Sequence, residues 1–297
     1  ALVLKSIMSI IAVCDGEEHP PIVCEIHSDR DRDLAENITE GTVKALNEVS
    51  VLSRMIAQLA LSRNGLSVVY SDMVGFDGNE FYFYKPENGW GGALTFGESI
   101  NRFRDSTPMG VHTGGGEIKL NPPSDTKISE NDELIVFAED DSTIFYLPEP
   151  VQKPKVNKIP DMVVNLRKQK VAILNWTSKA AIIMEKLCTY VPDESEIIAF
   201  HHEKTPDMDS YLAQLKDDYP KLNLSIKSTD LNDLNDLNDI EPQNFDSILI
   251  LSPGGITIEE MDAYVISLLI RVRQILQNKK LKKWPKLITE VMDSENI

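Results

Sequence analysis

Phosphate-cradling glycine loops are missing from this sequence. Neither a dinucleotide fingerprint nor a P-loop occurs among its 297 residues, and there is no Ser nucleophile elbow and no HExxH pair. These absences count against the common nucleotide-dependent and hydrolytic enzymes. Cysteine is scarce: Cys14, Cys24 and Cys188 stand far apart in apolar runs without CxxC spacing. That pattern excludes a disulfide framework and a cysteine zinc site, and fits buried thiols in a reducing compartment. Of five histidines, His201 and His202 are adjacent at the end of an expected strand. Successive strand residues face opposite ways, so the pair cannot easily share a metal. Positive charge is also short, at 30 Lys and Arg against 47 Asp and Glu, a net charge of −17. Such a field repels nucleic acid and anionic lipid and favours cations and basic partners. The basic residues that do cluster, Lys279, Lys280, Lys282, Lys283 and Lys286, follow an apolar helix and read as a helix end or solvated loop.

No apolar run is long enough to cross a bilayer. The best, Ala1–Cys14, is broken by Lys5 and falls short of about 18 residues. It has neither the basic start nor the cleavage site of a signal peptide. It opens in mid-helix, and a longer polypeptide is expected.

What is present is ordinary globular material, 42% hydrophobic and 26% charged, enough for about two domains. Apolar spacing predicts a helix over 1–13, a strand over 22–26, a polar helix over 31–37 and a strand over 43–46. This is α/β alternation without an opening glycine-rich unit. Val51, Leu52, Met55, Ile56, Leu59 and Ala60 mark a strongly amphipathic helix over 50–61, ended by Asn64-Gly65; a second helix over 66–74 stops at Gly75. From Glu80 the period changes to two, with strands expected at 80–85, 110–112, 117–120 and 133–137. Gly114-Gly115-Gly116 precedes a strand, so a hairpin turn is expected there. Prolines 148, 150, 154 and 160 describe an extended linker.

At Lys170 alternation restarts. Strands at 171–174, 197–200, 222–226 and 247–251 interleave with helices at 179–189, 209–217, 231–240 and 258–277. Four such units imply a right-handed parallel sheet with helices on both faces. The Asp-Leu-Asn repeat at 230–239 lacks the spacing and glycine of a calcium loop, and fits a surface helix capped by Asp230. A dinucleotide would sit after Leu174. The candidates for cofactor contact are Asn175, Trp176 and the strand-end acid Glu203, but Asn175-Trp176-Thr177 offers no glycine for the pyrophosphate. The candidate cation ligands are Asp77, Glu80, Glu139, Asp140 and Asp141, grouped around the start and end of the β-rich segment.

The stretch Met109-Gly-Val-His-Thr-Gly-Gly-Gly-Glu-Ile-Lys-Leu-Asn-Pro-Pro-Ser-Asp125, followed by Ile128 and Asn131-Asp-Glu-Leu-Ile-Val136, resembles the C-terminal lobe of RCK domains (TrkA-C). Val74-Gly-Phe-Asp-Gly-Asn-Glu-Phe-Tyr82, Phe137-Ala-Glu-Asp-Asp-Ser-Thr143, Lys158-Ile-Pro-Asp161, Phe245-Asp-Ser-Ile-Leu-Ile-Leu251 and Ile288-Thr-Glu-Val-Met-Asp-Ser294 narrow the resemblance to the CASTOR/POLLUX cation channels, known from plants and with bacterial relatives, one of which this chain is expected to be. These blocks run in order from about residue 50 to the end.

The resemblance implies an α/β fold of Rossmann-like lobes with a small β-rich α+β RCK C-lobe between them. Residues 1–49 would close the first lobe, 50–75 form crossover helices, 76–147 the C-lobe, 148–169 the linker and 170–297 the second lobe of an incomplete RCK domain. It further implies a non-enzymatic gating region on the cytoplasmic face of a tetrameric cation channel permeable to potassium or calcium. That region would self-associate into a ring, join a membrane pore elsewhere in the same polypeptide, respond to Ca²⁺ and bind no nucleic acid. Two departures stand out. Asn175-Trp176 replaces the family's Gly-Trp, which speaks against a nucleotide in the second lobe, and Pro253-Gly254-Gly255 replaces an acidic segment. The alternative is a nucleotide-binding peripheral subunit of a Trk/Ktr-type potassium uptake system. An NAD-dependent oxidoreductase would need glycines near Asn175 and a paired acid and base, and the sequence offers neither.

Overall fold

The computed structural model describes residues 2–14, 21–39, 42–62, 65–75, 78–151, 167–203 and 205–293. Two compact units result: residues 1–63 with 165–297, and residues 64–164. The first unit begins with α1 (Leu2–Cys14), β1 (Ile22–Glu25), α2 (Asp29–Ile38), β2 (Val43–Leu46) and α3 (Glu48–Leu61). Both early helices after β1 start sooner than hydrophobic spacing alone suggests, because side-chain caps open them. Ser28 accepts from the Asp31 N–H at 3.1 Å, and Asn47 from the Ser50 N–H at 3.1 Å. β1 and β2 pair in parallel. Ile26, Ala35, Val43 and Ala45 pack with Ile7 of α1 on one side of that pair.

The second unit holds α4 (Leu66–Val74), β3 (Glu80–Tyr84), β4 (Leu94–Thr95), the single turn α5 (Phe96–Ser99), β5 (Thr107–His112), β6 (Ile118–Leu120), β7 (Lys127–Ile128) and β8 (Glu133–Ala138). Gly65 does not close α3 as expected. It sits at φ +102° as the N-cap of α4, while Ser62 ends α3 in extended conformation; Asn64 lies outside the described residues. The antiparallel sheet runs β3-β8-β5-β6. The triple glycine makes the β5–β6 hairpin turn, with Gly116 at φ +86°. Gly110 is needed for a different reason: a Cβ there would lie 2.5 Å from the Lys119 carbonyl oxygen. Asp132, 7% exposed, pins the turn before β8 by accepting from the N–H groups of Gly114 (2.9 Å) and Ser129 (2.7 Å). Spacing missed β4, α5 and β7, which are too short to show a period.

The first unit resumes with β9 (Lys170–Leu174), α6 (Ser178–Tyr190), β10 (Glu196–His201), α7 (Pro206–Asp218), β11 (Asn223–Ser228), α8 (Leu234–Asp239), β12 (Ser247–Ile250), α9 (Ile258–Asn278) and β13 (Lys286–Thr289). All five strands are parallel, in the order β11-β10-β9-β12-β13. Alternate residues serve opposite cores, so the central strands are apolar throughout. Val171, Ile173, Ile197, Ala199 and Leu249 face α6 and α7; Ala172, Leu174, Ile198, Ile248 and Ile250 face α9. Ala57 and Ala60 of α3, both almost fully buried, belong to the first of these cores. The C-terminal half of α3 is thus covered by residues more than a hundred positions downstream, while Val51 of the expected stripe stays exposed.

Two expectations need correcting here. The Asp-Leu-Asn repeat starts its helix at Leu234. Asp233 is the cap, accepting from Asn235 and Asp236, while Asp230 spends its side chain on the Asn232 N–H. Competing local hydrogen bonds of this kind are why Asp shortens helices. Leu234 is left exposed although Leu231 and Leu237 are buried. The basic tail is likewise more than a solvated loop. Lys286 opens β13, and its ammonium donates to the carbonyls of Leu59 (2.9 Å), Ala60 (3.3 Å) and Ser62 at the C-terminal end of α3. Ser247 Oγ adds a bond to the Ala60 carbonyl at 2.6 Å. Helix ends leave such carbonyls without intrahelical partners, and a cation there also meets the negative end of the dipole.

Candidate functional site

In an open parallel sheet, ligands bind outside the carboxyl ends of the strands where the order reverses. In the five-stranded sheet that place lies between β9 and β12. Asn175 follows β9 with φ +83°, so it makes the tight turn for which glycine is the usual residue. Its side-chain amide donates to the Leu251 carbonyl at 3.1 Å and ties the two strand ends together. Trp176 donates its backbone N–H to His201 Nδ1 at 3.2 Å, and its indole stands edge-on to Tyr211. Burial and then His202 push the His201 imidazole below its ordinary value, with Glu203 opposing. Glu203 itself is exposed. The three residues marked for cofactor contact thus take up a turn, a core contact and a solvated strand end.

The crevice also has an internal occupant. Glu290, directly after β13, places its carboxylate between α6 and the end of β12. Oε2 accepts from the Ser252 hydroxyl at 2.8 Å and the Ser252 N–H at 3.3 Å; Oε1 pairs with the Lys179 ammonium. The side chains of Lys179 and Glu290 are only 17% and 8% exposed. Asp262 of α9, 1% exposed, accepts from the N–H groups of Met292 (2.8 Å) and Asp293 (2.9 Å).

Of the expected cation ligands, Asp77 lies outside the described residues. Glu80 and the Asp140–Asp141 pair come near one another around Tyr82. The Tyr82 hydroxyl donates to Glu80 at 3.2 Å and is raised first by burial, then by Glu80 and more weakly by Asp140 and Asp141. Asp140 is engaged locally. It caps a short turn by accepting from Ser142, which holds its carboxyl below the ordinary range. Glu139 is exposed beside it. Among the described residues, these carboxylates do not converge as a cation site.

Convergence occurs elsewhere. Glu25 at the end of β1, His27 just after it and Glu48 at the start of α3 bring one ligand atom each within 4.8 Å of one another. His27 Nδ1 lies 3.7 Å from Glu25 Oε1. A hydrogen bond to Glu25, then burial and the Glu25 charge, raise the Glu48 carboxyl; Lys179 and His27 pull the other way. Two carboxylates that close suit a cation that would relieve their repulsion. All three side chains are exposed, and Glu25 and Glu48 border a largely apolar cavity of about 470 Å³ walled by Val23, Leu46, Val51 and Leu52. The carboxylates fit a hard cation, which takes about six to eight oxygen ligands and would complete its shell from water. The imidazole suits a borderline ion better. Sequence reasoning missed this trio although the signal was available: all three residues lie at or just after the carboxyl ends of expected parallel strands.

Residues 49–154 match the family model described as "Castor and Pollux, part of voltage-gated ion channel". The chain is also similar in sequence to CASTOR and POLLUX ion channels. It is 27% identical over 290 residues to the probable ion channel CASTOR of Oryza sativa subsp. japonica, covering 95% of this chain and 32% of that protein. It is 26% identical over 284 residues to the ion channel CASTOR of Lotus japonicus, covering 93% and 32% respectively. The chain spans about a third of the length of the curated relatives it matches. Its fold is similar to that of a solved gating ring. The human SLO3 gating ring superposes with a TM-score of 0.55 at 13% identity, covering 95% of this chain and 57% of that one. Among the described residues, no helix is long and apolar enough to cross a membrane.

Proposed function

We propose that this chain is the ligand-sensing part of a channel gating ring, on the cytoplasmic side of a pore carried elsewhere in the same polypeptide. In this proposal four copies assemble and the conducted ion is potassium or calcium. One observation carries the reading: similarity to ion channels runs along 95% of the chain, through both units. The gating-ring fold supports it. The role is regulatory and non-catalytic.

The proposed input is a divalent cation, calcium first, held by Glu25 and Glu48. Glu25 belongs to β1, and Glu48 opens the helix whose far end is built into the second lobe's core. Drawing the two carboxylates together would bias how α3 sits between those elements. A ligand gates only by its differential affinity for two arrangements. Reading α3 as the transmitting element rests on its two ends, one acidic and ligand-facing, the other clamped by Lys286 and Ser247.

The test is current through the full-length channel in excised patches with Ca²⁺, Mg²⁺ or Na⁺ on the ring side, beside isothermal titration of this chain. Calcium-dependent opening that Glu48→Gln shifts to higher concentration is the expected result. A chain that takes up no divalent cation, with no change in its assembly, would rule out the cation input. A full-length protein that conducts nothing would rule out the channel itself. The peripheral nucleotide-binding subunit is the weaker reading, because Asn175 and Glu290 occupy the crevice that a nucleotide would use in the second lobe.

A further inference from the structure

We infer that the second lobe contains an anion cradle that is occupied by the chain's own Glu290, so that the segment 290–293 acts as a tethered internal ligand. The inference does not depend on the channel reading.

Three hydrogen-bond donors converge on one carboxylate: the Lys179 ammonium, the Ser252 hydroxyl and the Ser252 backbone N–H. Ser252 is 8% exposed and the Lys179 side chain 17%, so neither has bulk water as a ready substitute. A largely buried ammonium without a counter-charge is costly, which favours an anion at this point. Lys179 lies in the first turn of α6, whose cap Thr177 accepts from Ala180 N–H. The partial positive charge of that turn adds to the same preference.

The arrangement places a negative group where a doubly wound lobe would receive the phosphate of a ligand. Here the group is covalently attached. β13 delivers it, since the Glu290 N–H continues the sheet by donating to the Ile250 carbonyl at 3.2 Å. Beyond it, the buried Asp262 fixes the next residues through Met292 and Asp293 N–H. The segment is thus held at both ends of its short course over the crevice. Asn175 ties the neighbouring strand ends together through Leu251. This accounts for two features of the sequence: the Glu-Val-Met-Asp run after β13, and asparagine rather than glycine after β9. The asparagine amide braces the two strand ends, which a glycine could not do.

The ligand class follows from the donors. With Glu290 in place, small oxyanions are excluded; with it removed, the cradle takes a carboxylate or phosphate oxyanion from solution. The experiment compares this chain with Glu290→Ala, Glu290→Ser, Glu290→Gln and the double variant Lys179→Met with Glu290→Ala. Inorganic phosphate and acetate are the probes, in isothermal titration and thermal unfolding. We expect phosphate to bind Glu290→Ala at least about tenfold more tightly than the unaltered chain, a gain of about 1.4 kcal/mol. Either probe should recover part of that variant's lost Tm, and the Lys179→Met double variant should show neither effect. Should Glu290→Ala not fold, Glu290→Ser carries the test: it clears the cradle, leaves Lys179 without its counter-charge, and should also gain phosphate binding, whereas Glu290→Gln, whose amide still fills the cradle, should gain none. A folded Glu290→Ala or Glu290→Ser that gains no anion binding overturns the cradle. An unaltered chain that binds phosphate as tightly as Glu290→Ala overturns the internal occupancy.

Discussion

Replacing Lys286 with methionine keeps most of the side chain's apolar stem and removes one ammonium. In the structure that ammonium donates to Leu59, Ala60 and Ser62 carbonyls at the end of α3. Hydrogen bonds from a charged group contribute about 1.5–3 kcal/mol in total context, against about 0.5–1.5 for neutral ones. Part of that gain is already offset in the native chain: burial, and secondarily Lys283, lower the Lys286 amine from its ordinary value. Ala60 also retains Ser247 Oγ at 2.6 Å. The expected cost of Lys286→Met is therefore about 2 kcal/mol, and of Ser247→Ala about 1 kcal/mol. Together they strip the Ala60 carbonyl of both donors, so the double variant should lose more than the sum. Urea unfolding gives the totals, and amide exchange along α3 locates them; protection at residues 58–62 should fall first. A Lys286→Met chain within about 0.5 kcal/mol of the original, with α3 protection intact, would refute the view that this lysine fastens the helix to the sheet.

Further outcomes follow from single groups. Ser53 is fully buried and its Oγ has no hydrogen-bond partner, so Ser53→Ala should be neutral or stabilise by up to about 1 kcal/mol in the same urea assay. His201 titrates below 6.5 in the folded chain, so between its folded value and 6.5 the unfolded chain binds more protons. Its contribution is whole above 6.5 and is lost as pH falls through the folded value, and an NMR titration of the imidazole should place the midpoint below 6.5. Burial pushes the Cys188 thiol up to about 12, whereas Cys14 and Cys24 are half-buried. A thiol reagent at neutral pH should label those two in the native chain and reach Cys188 only on unfolding, as peptide mapping would show.

The long elements were readable from the sequence because burial on one or both faces leaves a period. The strands β2, β9 and β12 and the helices α4 and α9 lie within a residue or two of where apolar spacing puts them. The turn at Gly114–Gly116 followed from the same logic. β4 and β7 have two residues each, too few for alternation, and β13 carries the charge that made its segment look like a tail. Asn175 was marked as the place where glycine was missing, and it does make the turn, but the bond from its amide to Leu251 spans 76 positions. The acidic residues show the limit most directly. Runs such as Glu139-Asp140-Asp141 draw the eye because they are contiguous, yet contiguous carboxylates repel and disperse. Glu25, His27 and Glu48 are scattered in sequence and meet only because β1 and β2 pair in parallel.

The clamp at the end of α3 also has a temporal side. Ala60 waits for Ser247, 187 positions later, and Leu59 for Lys286, 227 positions later. A ribosome adds about 5–20 residues per second, so for about 10 to 45 seconds α3 exists without the sheet that receives it. The whole of residues 64–164 is made in that interval. During synthesis its apolar stripe is a sticky surface with no native cover, and chaperone occupancy or early aggregation of the nascent chain should concentrate there.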